Sequence, residues 1–494
     1  MVEAKMTAKP HVVCVPLPLQ GHMNPMLILS KLLHLHGFHV TFVLTHFNFS
    51  LLLNSKGPNS VKSLPGFRFE AISDGLPPEN KRGILNLPEF CMSIAVEGLR
   101  SFRELIAKLQ QGGLPDVPPV SCIVSDGVMG LTITVAEEFG IPEFMLFTPS
   151  GCGMLGYLNF DELEKRGFFP LKDEKNLQDG YLDTEVDWIP SMKGIRLREI
   201  PTFFRTTDPS DIMFNYNRDS VTNAIKAKGV ILNTFQELES ETLAAIKSTY
   251  PHLYPIGPLP LLLHNHPKHH HHQSDANNAD PTIDLNLWNA EANCLQWLDT
   301  KEKTSVVYVN FGSLVIMNPN QLQEFAWGLA NSDYSFLWVI RPNLVEGGEE
   351  VLSEENFKKK TEGRCMIVGW CPQEKVLSHE SVGGFLSHCG WNSTLESISE
   401  GVVMVCWPFF AEQQMNCFYV CKRWGIGMEI EEGEVKREKI ERAVREVMEG
   451  ERGKNMREKA LEWKLKAQAA TLPGGSSYAT FMTLVHKLKE SVNN

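Results

Sequence analysis

The sequence is poor in several features that would each have narrowed its function at once. It has no apolar stretch near the roughly 20 residues that a membrane-crossing helix needs. It has no excess of basic charge: the net charge is −12 over 494 residues, which argues against a general nucleic-acid binder. It has no G-x-S-x-G elbow of the α/β-hydrolases and no D-x-D of the kind that presents a metal to a nucleotide diphosphate. The lysines near the N-terminus precede only a short apolar run carrying Pro16 and Pro18, a poor export signal, so a cytoplasmic location is expected. Eleven cysteines, an odd number without a framework spacing, are expected as free thiols in a reducing compartment. Cys417 and Cys421 are four apart, as two ligands on a helix would be, but buried free cysteine is the commoner meaning of such a pair, and no metal is expected.

What is present is a rhythm of short β-branched and aromatic runs separated by helical patterns, which indicates α/β architecture. Strands are predicted at 11–17, 39–45, 121–125, 143–147 and 229–233, then at 305–311, 335–340, 364–369, 382–386 and 402–406. A helix is expected over "NPMLILSKLLHLHG", with Pro25 in its first turn and Gly37 as its cap. A charged amphipathic helix is expected near 435–449, and no short internal repeat is visible. The division predicted is a first lobe over 1–257, an exposed linker over 258–290, a second lobe over 291–472 and a C-terminal helix over 473–494. The linker contains the run His269–His272, read as solvated loop rather than a metal site.

Ligands of open parallel sheets bind beyond the carboxyl ends of the strands. In the first lobe those ends are followed by His22, Asp126 and Thr148; in the second they are followed by Ser313, Trp370, His388, Glu412 and Gln413. Two lobes meeting along these edges would enclose a cleft. The string "HCGWNSTLES" at 388–397 has the S-x-x-E spacing of a capping box, placing a helix start near Ser393. A helix N-terminus suits a phosphate, Gly390 permits close approach, Asn392 and Ser393 add donors, and His388 offers a hydrogen bond or a charge. Trp370 offers an indole face to a planar base. Glu396, Glu412 and Gln413 suit the hydroxyls of a ribose and a hexose.

The 44 residues from Trp370 to Gln413, "WCPQEKVLSHESVGGFLSHCGWNSTLESISEGVVMVCWPFFAEQ", resemble the signature box of plant UDP-dependent glycosyltransferases. The resemblance extends through "PLPLQGHMNP", "VSDG" and "VVYVNFGS", and is nearest to the subgroup that glucosylates cyanohydrins and terpenoids. It implies a GT-B fold, two Rossmann-like lobes with the last helix returning to the first. It implies that Trp370 stacks on uracil beside Cys371 and Gln373, and that Glu396 holds the ribose. It assigns His388, Asn392, Ser393 and Ser313 to the diphosphate, and Trp391, Glu412, Gln413 and Thr148 to the sugar. Gln413 is the position the family associates with glucose. Two departures stand out: Val403 where proline is usual and Ser387 where threonine is usual, neither removing a donor contact.

The activity so implied is inverting transfer of glucose from UDP-glucose to a small lipophilic alcohol, with His22 as general base and Asp126 orienting it. No metal or cofactor is expected. The partners are the two substrates, without nucleic acid or stable membrane insertion, and a monomer is the family expectation. The acceptor pocket is expected among 85–95, 150–158 and 190–205, with Phe90, Met92, Met154, Phe203 and Phe204 as apolar candidates. The alternatives are a module that holds UDP-sugar without turnover, or transfer of another sugar. A nicotinamide-dependent oxidoreductase, also compatible with Rossmann-like lobes, needs G-x-G-x-x-G after a strand with an acidic residue about 20 positions on; no such glycine pattern is expected here, and that reading is set aside.

Overall fold

A computed structural model describes residues 9–57, 59–76, 86–112, 116–267, 285–287, 290–291, 293–341, 352–431 and 433–490. The first lobe holds a parallel sheet of β1 (His11–Val15), β2 (His39–Thr45), β3 (Phe67–Ile72), β4 (Cys122–Asp126), β5 (Glu143–Phe147), β6 (Gly229–Leu232) and β7 (Leu253–Pro255). The second holds β8 (Val306–Asn310), β9 (Ser335–Val339), β10 (Cys365–Val368), β11 (Val382–Ser387), β12 (Met404–Cys406) and β13 (Gly427–Glu429). Strand order is β3-β2-β1-β4-β5-β6-β7 in one sheet and β10-β9-β8-β11-β12-β13 in the other. Each sheet therefore reverses its winding once, between β1 and β4 and between β8 and β11. Ligand crevices of doubly wound sheets open at such points.

All ten predicted strands are present, most within one or two residues of their expected ends. Sequence reasoning missed β3, β7 and β13. Strands β7 and β13 have only three residues each, too few to show a period, and β3 is an edge strand with mixed burial. Strands β1, β2, β4, β5 and β6 of the first sheet are wholly buried, as parallel strands covered on both faces should be.

The helices that matter for the site are α1 (Gln20–Leu35), α2 (Gly151–Leu158), α3 (Ile212–Ala224), α4 (Leu259–His264), α5 (Trp391–Glu400), α6 (Gln413–Phe418), α7 (Arg437–Glu449), α8 (Glu451–Thr471) and α9 (Ser476–Glu490). Helix α1 begins five residues before Pro25, so Pro25 lies inside it and His22 sits in its first turn. Gly37 follows its end with φ 85°, as expected.

The predicted exposed linker needs correction at its start. Leu259 and Leu262 of α4 are fully buried in the first lobe's core, and His266 is buried against Tyr478 and Phe481 of α9. An apolar "LPLLL" run carries more burial free energy than a solvated linker can forgo. His269–His272 lie outside the described residues. Helix α9 places Phe481, Leu484, Val485 and Leu488 in the same core as β1, β2 and α1, so the chain's last helix belongs to the first lobe.

The two lobes touch through specific hydrogen bonds. Trp391 Nε1 donates to the Asn233 carbonyl at 2.8 Å, Asn392 Nδ2 to the Gly21 carbonyl at 2.7 Å, and Ser150 Oγ to Asn416 Oδ1 at 2.6 Å. Between these bridges lies a cavity of about 470 Å³.

Candidate active site

The two winding reversals face each other across this cavity. On the first lobe's side, His22 comes from the turn after β1 and Asp126 from the last residue of β4, the neighbouring strand. His22 Nδ1 lies 2.8 Å from Asp126 Oδ2. Asp126 is buried, and its other oxygen accepts from the Val128 N–H at 3.1 Å. It thus both shapes the turn before Gly127 and holds the imidazole. Thr148 Oγ1 approaches the same Nδ1 at 2.9 Å, so Nε2 is the ring nitrogen left for the cavity. Burial opposes protonation of His22, but the charge and hydrogen bond of Asp126, aided by the charge of Glu412, outweigh it and hold the imidazole above its ordinary pKa.

On the second lobe's side, the capping box is not formed. Helix α5 starts at Trp391, two residues before the expected point, with Gly390 as N-cap and no side chain capping it. Ser393 and Glu396 are instead joined by Gln373, whose Nε2 donates to Ser393 Oγ at 2.9 Å and to Glu396 Oε2 at 2.6 Å. Gln373 Oε1 in turn accepts from Tyr308 Oη and Asn310 Nδ2. The amides of the first helical turn are therefore left without a side-chain acceptor at the cavity, which is the condition for holding an anion there. Trp391's indole N–H is committed to Asn233, so any hydrogen bond it gives a ligand comes from its main-chain N–H.

His388 is pressed between two glycines. A Cβ on Gly312 or Gly390 would stand 2.5 or 2.4 Å from its Nε2. Only a hydrogen fits at either position, and Gly312 also has φ 75°. Burial lowers the pKa of His388 to about 4. Of the two possibilities offered by the sequence, His388 thus supplies a hydrogen bond and not a charge at neutral pH. Its Nδ1 is enclosed by the protein, and the Asn310 main chain is the ring's hydrogen-bonding neighbour; Nε2, between two glycines that line the cavity, is the nitrogen nearer a ligand.

Ser313, Trp370, Cys371, Gln373, Gly390 and Asn392 all line the same cavity, as do Thr148, Glu412 and Gln413. Gln413 Oε1 accepts from the N–H groups of Phe409 and Phe410, which leaves its Nε2 for a ligand hydroxyl. Burial and the charge of Glu374 raise the Glu396 carboxyl to about 8, and burial raises Glu412, against which the neighbouring His22 works.

The apolar end of the cavity differs from expectation. Of the acceptor candidates only Phe203 lines it. Phe90, Met154 and Phe204 are buried in the core, and Met92 is exposed. Their neighbours Leu87, Cys91 and Tyr157 take the lining positions. Sequence reasoning missed Met213, Tyr216 and Val221 of α3 and Phe410 after β12. The i, i+3 and i+8 spacing on α3 marks one apolar face, but that pattern does not distinguish a cavity wall from a core face.

One sequence pattern was passed over. Gly151-Cys152-Gly153-Met154-Leu155-Gly156 does spell G-x-G-x-x-G, in the first turns of α2 after β5. It is no dinucleotide site. The N–H groups of Gly151 and Cys152 are taken by the Glu239 carboxylate at 2.9 and 2.7 Å, and that of Gly153 by Ser150 Oγ. A buried carboxylate already stands where a pyrophosphate would have to bind.

Comparison with known proteins agrees with this geometry. Residues 288–461 match the family described as UDP-glucoronosyl and UDP-glucosyl transferase. Over 97% of both chains the sequence is 50% identical to a 7-deoxyloganetin glucosyltransferase of Catharanthus roseus. The chain belongs to the plant UDP-glycosyltransferases. This glycosyltransferase is likewise 51% identical, over 97% of both chains, to an (R)-mandelonitrile beta-glucosyltransferase of Prunus dulcis. Its fold matches a UDP-glucose:anthocyanidin 3-O-glucosyltransferase solved with UDP, with a TM-score of 0.81 at 27% identity over 98% of this chain and 100% of that one. It also matches Os79 of O. sativa in complex with UDP, with a TM-score of 0.78 at 28% identity over 97% and 100% of the two chains. The glycosyltransferase therefore has the GT-B fold and takes a UDP-sugar. Among its described residues no helix is long and apolar enough to cross a membrane.

Proposed function

We propose that this glycosyltransferase moves glucose from UDP-glucose to a hydroxyl of a small lipophilic plant metabolite, inverting the anomeric carbon, with His22 as general base. The observation that carries the reading is the placement of the His22–Asp126 pair and the uncapped start of α5 on opposite walls of one cavity. His22 Nε2 takes the proton of the acceptor hydroxyl as its oxygen attacks sugar carbon 1. Asp126 stabilises the imidazolium that results. The bond from carbon 1 to the diphosphate breaks, and UDP leaves with the electron pair. Charge gathering on the diphosphate meets the helix amides, Ser313, Ser393 and the His388 hydrogen bond, all fixed before the reaction starts. A single displacement on UDP-α-glucose yields a β-glucoside, in keeping with the beta-glucosyltransferase activity named for the Prunus dulcis relative.

The donor end offers N–H and O–H donors, and the chain lacks D-x-D, which supports transfer without a metal. Leu17, Leu87, Val128, Met213, Tyr216 and Phe203 at the other end favour an apolar aglycone presenting one hydroxyl. Relatives named for 7-deoxyloganetin and (R)-mandelonitrile place iridoid and cyanohydrin alcohols first among the acceptors to test. The test is mass spectrometry of products after incubation with UDP-glucose, EDTA and a panel of such alcohols. A product heavier by one hexose is expected from the wild type. The His22→Ala variant should form none while still binding UDP; full activity in that variant would remove His22 as the base.

A further inference from the structure

The second lobe contains a group of sulfurs that donor binding does not use. Cys389 follows β11, Cys406 ends β12, and Cys417 lies on α6; their three Sγ atoms lie within 4.8 Å of one another, and all three residues are buried. Cys421, one turn further along, brings its Sγ to 3.9 Å from that of Cys417. Packing alone asks only that each thiol be surrounded by apolar atoms. Here three separate segments instead aim sulfur at a common point. Four sulfurs bound tetrahedrally at the ordinary zinc–sulfur distance of about 2.3 Å stand about 3.8 Å apart. The Cys417–Cys421 separation already matches one such edge, and drawing Cys389, Cys406 and Cys417 to that spacing requires shifts of at most about 1 Å, within reach of χ1 adjustments; Cys421 stands outside that group of three and closes on it as the metal binds.

The cluster also has an entrance. A second cavity, of about 670 Å³ and distinct from the donor cleft, is lined by Cys421 together with Lys422, Glu429 and Glu431. Cys421 is only half-buried, so it connects the buried sulfurs to this cavity. The mouth carries both signs, Glu199, Glu429 and Glu431 beside Arg196, Arg198 and Lys422, so it is the thiols behind it that would retain a soft cation.

We propose that Cys389, Cys406, Cys417 and Cys421 bind one thiophilic metal ion of the zinc or cadmium class, entering through this second cavity. Each of the four thiols gives its proton to solvent as it coordinates, so a divalent ion held by four thiolates leaves a net charge of −2, and no electron transfer is involved. Uptake should therefore strengthen as pH rises. The role is structural. Cys389 stands between His388 and Gly390, and its carbonyl accepts from Asn416 Nδ2 at 3.0 Å. A metal there would tie the diphosphate loop to α6, the helix that presents Gln413.

The test uses the full chain, stripped with a chelator and kept reduced with a phosphine, and titrated separately with Cd²⁺ and Co²⁺. Sulfur-to-metal charge-transfer absorption is expected to saturate at one equivalent and to raise the thermal midpoint. The band reports sulfur, so the histidine run at 269–272 does not contribute. Cys417→Ser should abolish it, Cys421→Ser should weaken it, and Cys365→Ser, on β10, should leave it unchanged. UDP binding by each variant verifies that it is folded. Absence of the band at several equivalents, or a band that survives Cys417→Ser, overturns the proposal. So does a disulfide within the cluster that forms in air and leaves the re-reduced protein unable to develop the band.

Discussion

At the scale of single residues, two histidines of the cavity are tuned in opposite directions by their surroundings. His22 has a buried carboxylate at 2.8 Å and is held above its ordinary pKa, whereas His388 has no opposite charge beside it and burial takes it to about 4. A general base must be neutral to act, so the acid limb of kcat/KM should report His22 and lie above the ordinary histidine value of about 6.5. Asp126→Asn removes the main force that raises it and leaves burial to dominate. The limb should then move to lower pH, with kcat reduced about 100- to 10,000-fold. An unmoved limb would show that another group governs it. The residue types at both positions were legible in the sequence, as was their position after strands. Their separation of 104 residues was bridged only by the pairing of β1 with β4.

At the scale of elements, the start of α5 is the decisive feature. The S-x-x-E spacing suggested a capped helix, yet the helix starts earlier and Gln373 from the preceding segment takes up Ser393 and Glu396. A local motif competes with tertiary partners for the same side chains, and here the tertiary partner prevails. The glycines that flank His388 belong to this element as well. Gly390→Ala places a methyl 2.4 Å from the ring nitrogen, so the ring or the loop must move. Strain of this type costs about 1–3 kcal/mol. KM for UDP-glucose is expected to rise at least about tenfold, with the protein still folded by circular dichroism. A KM unchanged from wild type would mean that His388 does not contact the donor.

At the scale of the whole molecule, the chain closes on itself. Helix α9, last in sequence, completes the core of the lobe that is first in sequence, with Phe481 fully buried beside His36 and His266. Phe481→Ala should destabilise the first lobe by about 3–5 kcal/mol, the usual cost of emptying a buried phenyl site. Chemical denaturation followed by fluorescence would show it as an earlier transition. Donor recognition lies in the other lobe, so loss of UDP affinity in native buffer should be small. Val403, at the position where the resemblance leads one to expect proline, is fully buried and outside the cavity; its carbonyl accepts from the Phe385 N–H at 2.9 Å. The substitution therefore concerns the approach to β12 and not the donor.

The sequence by itself determined the α/β class, ten of the strands and the placement of His22, Asp126 and the 370–413 residues after strand ends, because these depend on local hydrophobic period and on residue type. The tertiary structure alone decided which apolar side chains line the cavity, since Phe203 and the face of α3 do so while Phe90, Met154 and Phe204 pack into the core. An apolar side chain has the same transfer free energy towards a core or a cavity wall, so no pattern along the chain separates the two. The same holds for the four thiols. Their spacing along the chain shows only that Cys417 and Cys421 share a helix face; bringing Cys389 and Cys406 to that face required β11, β12 and α6 to pack together.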